Sequence, residues 1–173
     1  VRNNALYIAE KEGGDRKVIE LAALLHDIGN ETTLEKSHAG SSANLAVTIL
    51  QKYGYDAQVI EDVRHCIMTH SLEIGQPETL EAKIVFDADK LDFCGAIGLA
   101  RLFSISGAQG KSIYSIPEAQ ETSAEDIFMQ KVRFFPDKLY TKTACELLAD
   151  NHQFALEFWE RLRSQVNGPM DQK

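Results

Sequence analysis

Three aspartates set into an apolar helical stripe constrain this chain more than any other feature. Ile84, Ala88 and Leu91 recur at helical spacing with Val85 beside them, and Asp87, Asp89 and Asp92 interrupt that run. Aspartate is a poor helix former. A solvated face would carry Lys or Glu more readily than three aspartates among Ile84, Val85, Phe86 and Phe93. Carboxylates in such surroundings need a counter-charge, because burying one alone is costly. Two sources of charge stand level at this point: a metal ion, or a buried pairing with Lys83, Lys90 or Arg101. Helical geometry separates the three acids. Asp89 and Asp92 share a face, whereas Asp87 lies about 200° round the helix from Asp89.

A second run, Leu21-Ala22-Ala23-Leu24-Leu25-His26-Asp27-Ile28-Gly29, ends in an adjacent imidazole and carboxylate. Its small and apolar residues suit the inside of a helical protein, which puts His26 and Asp27 at the C-terminal end of a buried helix. A divalent cation would satisfy both, since neutral imidazole and carboxylate are its natural ligands. Taken alone, a His-Asp pair is better explained by a helix end, with His26 on the last carbonyls and Asp27 in water.

The remaining chain reads at helical period from end to end, with no alternating segment. Ala5, Leu6, Ile8 and Ala9 form a stripe that stops at Gly13-Gly14, and Asp15 is placed to cap the helix leading to His26. Further helices are predicted from Ser37 or His38 to Tyr53, from a cap at Asp56 to His70, and from Leu80 onward. Residues 104 to 122 lack a clear period and read as a long loop, of the kind that is often functional. A short helix is expected from Ile127 to Phe134, stopped by Pro136, and a last one from about Lys138 to Val166. The fold class is all-α, a helical bundle forming one domain over residues 1–166, with a flexible tail at 167–173.

Composition narrows the partners. A net charge of -8 argues against a nucleic-acid polymer or an anionic membrane as the partner. An anionic substrate would then need local cations or a metal. Cys66, Cys94 and Cys145 are odd in number, far apart and flanked by apolar residues, so they read as reduced core thiols of a cytoplasmic protein. No apolar run approaches the ~20 residues that span a bilayer.

Together, Ala22 to Gly29 and Asp87-Ala88-Asp89-Lys90-Leu91-Asp92 resemble the HD-domain metal-dependent phosphohydrolase superfamily. The similarity is greatest to its small single-domain bacterial hydrolases, whose last motif runs DADRLDxxGAxGxxR. Here that motif continues through Gly95-Ala96-Ile97-Gly98 and Arg101, so the match covers most of Val1 to Tyr114. The resemblance implies a helical fold and a divalent ion (Mn, Mg, Co, Ni or Fe) held by His26, Asp27 and Asp89, the catalytic set. The family's first histidine would fall four residues before Val1. Asp87 and Asp92 would orient ligands or pair with Lys90 and Arg101. Lys90, Arg101 and Lys111 are the cations expected to meet substrate, and no residue is assigned as the base.

His38 opens a helix and His70 closes one, between the HD pair and the final aspartate. Some HD-fold proteins use added histidines in that interval for a second metal. A single tightly held ion is expected here, with His38 and His70 as substrate contacts. The implied reaction is hydrolysis of a nucleotide or other phosphomonoester by metal-activated water, the partner being a small phosphorylated molecule. A homodimer is left open. Two rivals remain: a di-iron oxygenase on the same fold, which would need His38 and His70 as ligands, and a non-catalytic helical ligand-binding protein.

Overall fold

The computed structural model describes residues 1–29, 38–71, 75–115 and 122–168, and every regular element among them is helical. The helices are α1 (Arg2–Glu12), α2 (Arg16–Leu25), α3 (His38–Lys52), α4 (Ala57–Thr69), α5 (Leu80–Asp92), α6 (Gly95–Ala108), α7 (Ala124–Gln130) and α8 (Lys142–Asn167). A 3-10 segment, Val132–Lys138, follows α7. The all-α class is therefore as the sequence implies. No single helix among the described residues is long and apolar enough to cross a membrane.

Where the sequence suggests one domain over residues 1–166, the chain groups into two compact units. Val1–Lys90 with Leu139–Ala144 make the first, and Leu91–Lys138 with the described residues from Cys145 onward make the second. Of the expected tail, Asn167 is the last residue of α8 and Gly168 follows it; residues 169–173 lie outside the described ones, as does the polar connection before Ser37.

In the first unit α1 packs on α2, and α2, α3 and α4 pack on one another. The interior is made by Ile8, Ile19, Ala22, Ala43, Ala46, Leu50, Val63 and Ile67. Each large aliphatic among them contributes roughly 1.5–3 kcal/mol by leaving water. Helix α2 starts where its sequence says it should: Asp15 Oδ1 accepts the N–H groups of Lys17 at 2.8 Å and Val18 at 3.2 Å. Asp15 N–H in turn donates to Glu81 Oε1 at 2.9 Å, tying the start of α2 to the first turn of α5. The short segment Leu139–Ala144 is fastened twice. Asp87, on α5, accepts from Tyr140 N–H at 3.0 Å and from both the N–H and hydroxyl of Thr141 at 2.7 Å. Glu12, at the end of α1, accepts the N–H and hydroxyl of Thr143 at 2.8 and 2.7 Å, and the Thr143 hydroxyl is the main reason its pKa is lowered.

The second unit is built round Trp159, whose ring lies 5.4 Å from Phe103, 5.6 Å from Phe128 and 5.8 Å from Phe158 between centroids. Gly98 is required in α6, since a Cβ there would stand 2.1 Å from the Phe93 carbonyl. Three boundaries differ from the sequence-based ones. Helix α6 continues through Ser104 to Ala108, and residues 116–121 of the expected loop lie outside the described ones; the buried side of α6 mixes Leu99 and Leu102 with the small Gly98 and Ser106, which hide the stripe. The short helix begins earlier, at Ala124, because Ser123 and Asp126 form a reciprocal capping box. Pro136 sits inside the 3-10 segment, and the last helix begins at Lys142. Cys66 and Cys94 are buried, which pushes both thiols up to about 12. Cys145 is exposed, a correction to the core-thiol reading: Ala144 and Leu148 take the inward face of α8 and leave Cys145 to one side.

Candidate metal centre

Two helices of the first unit end in the same way. His26 closes α2 and turns its Nδ1 back to the Ala23 carbonyl at 3.0 Å; His70 closes α4 and does the same to the Ile67 carbonyl at 2.6 Å. A carbonyl only accepts, so each Nδ1 carries the proton and donates it. Each Nε2 is then left with a lone pair, the tautomer that a metal-binding histidine needs.

Both Nε2 atoms face Asp27, each nearest a different oxygen of its carboxylate. His26 Nε2 is 3.6 Å from Asp27 Oδ2, and His70 Nε2 is 3.7 Å from Asp27 Oδ1. Asp89, one turn from the end of α5, brings its Oδ1 to 3.7 Å from His26 Nε2. These separations are too long for good hydrogen bonds. They approach the roughly 3–3.5 Å edges of a coordination polyhedron with bonds of ~2.1 Å. His26 with either carboxylate, and His70 with Asp27, are spaced as pairs of donors that a divalent ion can bridge.

His38 completes the cluster from the start of α3. Its ring centroid is 5.3 Å from that of His70, which is 5.2 Å from that of His26. Asp27, His38 and His70 each offer a ligand atom within 4.8 Å of the other two. Gly29 brings α3 this close: a Cβ on it would stand 2.7 Å from the Ser42 backbone nitrogen, while its own N–H donates to Ser42 Oγ at 3.0 Å. The spacing of His38 and His70 in the sequence did not distinguish ligands from substrate contacts, and substrate contact was the expectation because the implied ligand set was already sufficient. The available signal for ligation was that His70, like His26, is the last residue of an apolar helix.

Protonation states suit a cation. Burial pushes the His26 pKa down, against the pull of Asp89 and Asp27, so the imidazole is neutral at neutral pH. Asp27 is held below the usual carboxylate range, first by a hydrogen bond from the His70 side chain and then, against the effect of burial, by charge on His26, His70 and His38. These influences act when those rings are protonated. Its side chain is 43 % exposed, whereas His70 is 2 % exposed, so the cluster meets solvent on the Asp27 side.

The other residues singled out in the sequence fall elsewhere. Asp87 points away from Asp89, as the 200° estimate requires, and serves the Leu139–Ala144 segment. Lys90 is 5 % exposed; its Nζ donates to Asp89 Oδ2 and to the His70 carbonyl, each at 2.7 Å. Asp92 and Arg101 belong to the second unit and pair with each other, the guanidinium lying 4.8 Å over the Phe93 ring. Lys111, also of that unit, is half-buried just beyond α6. His65 Nε2 accepts the Glu78 N–H at 3.4 Å, apart from the cluster.

Comparison with known proteins shows the family. A family model described as HD domain matches residues 1–94. The YpgQ protein of Bacillus subtilis is 33% identical over 173 residues, covering 97% of this chain and 82% of YpgQ. The crystal structure of YpgQ in complex with ADP superposes with a TM-score of 0.79 at 32% identity, over 96% of this chain and 86% of the other. An HD-superfamily hydrolase from Bacillus thuringiensis gives a TM-score of 0.75 at 29% identity, over 96% and 82% of the two chains.

Proposed function

This chain belongs to the HD-domain family, and on that premise we propose that it is a metal-dependent phosphohydrolase acting on a nucleotide or another phosphomonoester. The observation that carries this reading is the pair of imidazoles, each pinned through Nδ1 to a backbone carbonyl, with both Nε2 atoms aimed at one carboxylate.

His26, Asp27 and Asp89 would hold the ion. A divalent ion supplies Lewis-acid polarisation of a phosphoryl oxygen and brings the pKa of water toward neutrality. The protein's own contribution is rigidity and charge. The Ala23 carbonyl fixes the His26 ring, the fold keeps that ring neutral, and Asp27 and Asp89 bring negative charge to the cation. Exposure at Asp27 lets water and a phosphate reach the cluster. That YpgQ has been crystallised with ADP supports a nucleotide as the substrate class.

The test is metal analysis of the protein as purified, followed by a phosphatase screen over nucleotides with Mn, Mg, Co and Ni. Phosphate release that requires added metal and is lost in Asp89→Ala is the expected result. Absence of bound metal under all four conditions would overturn the reading. The Asp27, His38 and His70 grouping also favours a second reading, a di-iron oxygenase. Oxygen consumption by the iron-loaded protein without phosphate release would establish it.

A further inference from the structure

We propose that Lys90 is a positioning residue of the metal centre, and that it selects which oxygen of Asp89 is presented to the ion. This rests on the metal-dependent reading above. Lys90 was expected at the substrate because it borders the final aspartate motif, yet its ammonium is already engaged within the fold. One N–H goes to Asp89 Oδ2 and one to the His70 carbonyl, each at 2.7 Å, and the Phe86 ring lies 4.4 Å below the ammonium. At 5 % exposure and with these contacts, the side chain is turned inward and not toward a phosphate in solvent.

Its two hydrogen bonds join two elements that carry ligands. With Oδ2 of Asp89 occupied by the ammonium, Oδ1 is the oxygen that faces His26 Nε2. Asp89 is thereby a one-oxygen ligand. The bond to the His70 carbonyl holds the end of α4 beside α5, and with it the ring that points at Asp27. The ammonium also balances the Asp89 charge whether or not an ion is present, so the carboxylate is kept in place before the metal arrives. Partners of this kind change metal affinity by roughly 10–100-fold when removed.

The experiment compares the parent with Lys90→Met and Lys90→Gln. The first keeps length and packing against Phe86 without a charge; the second keeps one donor. Folding is checked by circular dichroism and a cooperative melt, Mn2+ affinity by titration of free Mn2+, and coordination by the visible spectrum of the Co2+-loaded protein. Lys90→Met is expected to bind Mn2+ about 10- to 100-fold more weakly, with an altered Co2+ spectrum as Oδ2 is released. Lys90→Gln should fall between it and the parent. At saturating Mn2+ the KM for nucleotide should stay at the parental value. Parental Mn2+ affinity and spectrum in both variants, with or without a raised KM, would overturn the positioning role while leaving the metal reading intact. A parent that binds neither Mn2+ nor Co2+ would overturn both. Should Lys90→Met not fold, Lys90→Gln is read by the same criteria.

Discussion

The Asp87 carboxylate accepts both the backbone N–H and the hydroxyl of Thr141, each at 2.7 Å, from 54 residues along the chain. With Tyr140 N–H as a further donor, this fully buried acid holds the segment between the 3-10 turn and α8 against α5. Removing the acceptor leaves buried donors unsatisfied, at a cost on the order of 3–5 kcal/mol for a broken buried charge network. Asp87→Ala should therefore lower Tm by about 10 °C, at ~2–4 °C per kcal/mol for a chain of this size. Thr141→Val, which removes only the hydroxyl, should cost about 1–2 kcal/mol. Differential scanning calorimetry on metal-free protein checks both. An unchanged Tm in Asp87→Ala would remove the fastening role.

Much of this was legible before any coordinates. Helical period and caps placed α2, α3 and α4 within a residue or two, because Asp15, Gly54 and the apolar stripes are local signals. The opposed directions of Asp87 and Asp89 followed from helical geometry alone. What local pattern does not contain is partnership at a distance. Nothing near Lys90 in sequence says that its ammonium meets a carbonyl twenty residues earlier. Likewise Thr141 and Thr143 look like ordinary polar residues until Asp87 and Glu12 are brought to them. The end of α6 was missed because its inward face is made of glycine and serine as well as leucine, which a hydrophobic stripe does not reveal.

Asp89 and Asp92, although on one face by spacing, have different partners: Asp89 faces His26, and Asp92 is paired with Arg101. Asp89→Ala should lose the ion held with His26. Asp92→Ala should keep it, since its loss removes an ion pair of a partly exposed kind that contributes little. Metal content after dialysis against dilute Mn2+ is the measurement. Equal content in Asp89→Ala and the parent would remove Asp89 from the ligand set.

Two carboxylates and the imidazoles they face should be less stable together without a cation between them. Chelation is accordingly expected to lower Tm, and readdition to restore it by mass action, by ~2.7 kcal/mol at a hundredfold excess over Kd. A Tm independent of Mn2+ and Mg2+ across that range would count against a native site.

His152, on α8, gives a pH dependence that is separate from the metal ligands. Its ring stacks on Phe128 with centroids 6.5 Å apart, and its Nδ1 is buried with no hydrogen-bond partner among the described residues. Burial lowers its pKa, Arg133 lowers it further, and Asp137 opposes them. The unfolded chain then takes up a proton that the folded one refuses. Stability is lost as pH falls through the ordinary imidazole value near ~6.5, and the loss levels off once the folded ring is protonated too. Urea melts at pH 7.5 and 5.5 should show the parent losing more stability on acidification than His152→Phe does. Identical losses in the two proteins would exclude His152 as the source.

The number of ions turns on Asp27, whose two oxygens diverge: Oδ2 lies toward His26, which also faces Asp89, and Oδ1 toward His70, beside His38. One ion was expected, with the two later histidines touching substrate, because the implied ligand set was already sufficient; the donors about Asp27 also suit two ions that share its carboxylate. His26 and Asp89 with Oδ2 would hold one ion, and His38 and His70 with Oδ1 another. Saturated protein should then carry close to two ions per chain. His38→Ala and His70→Ala should each lose one and keep the other, whereas Asp27→Ala should lose both. His70→Ala is expected to weaken binding more than His38→Ala, because the buried His70 ring is fixed by the Ile67 carbonyl and the half-buried His38 has more freedom to leave. Elemental analysis with quantified protein reads all three variants. A content near one in the parent, unchanged in both histidine variants while KM rises, would return His38 and His70 to the substrate and leave His26, Asp27 and Asp89 with the single ion.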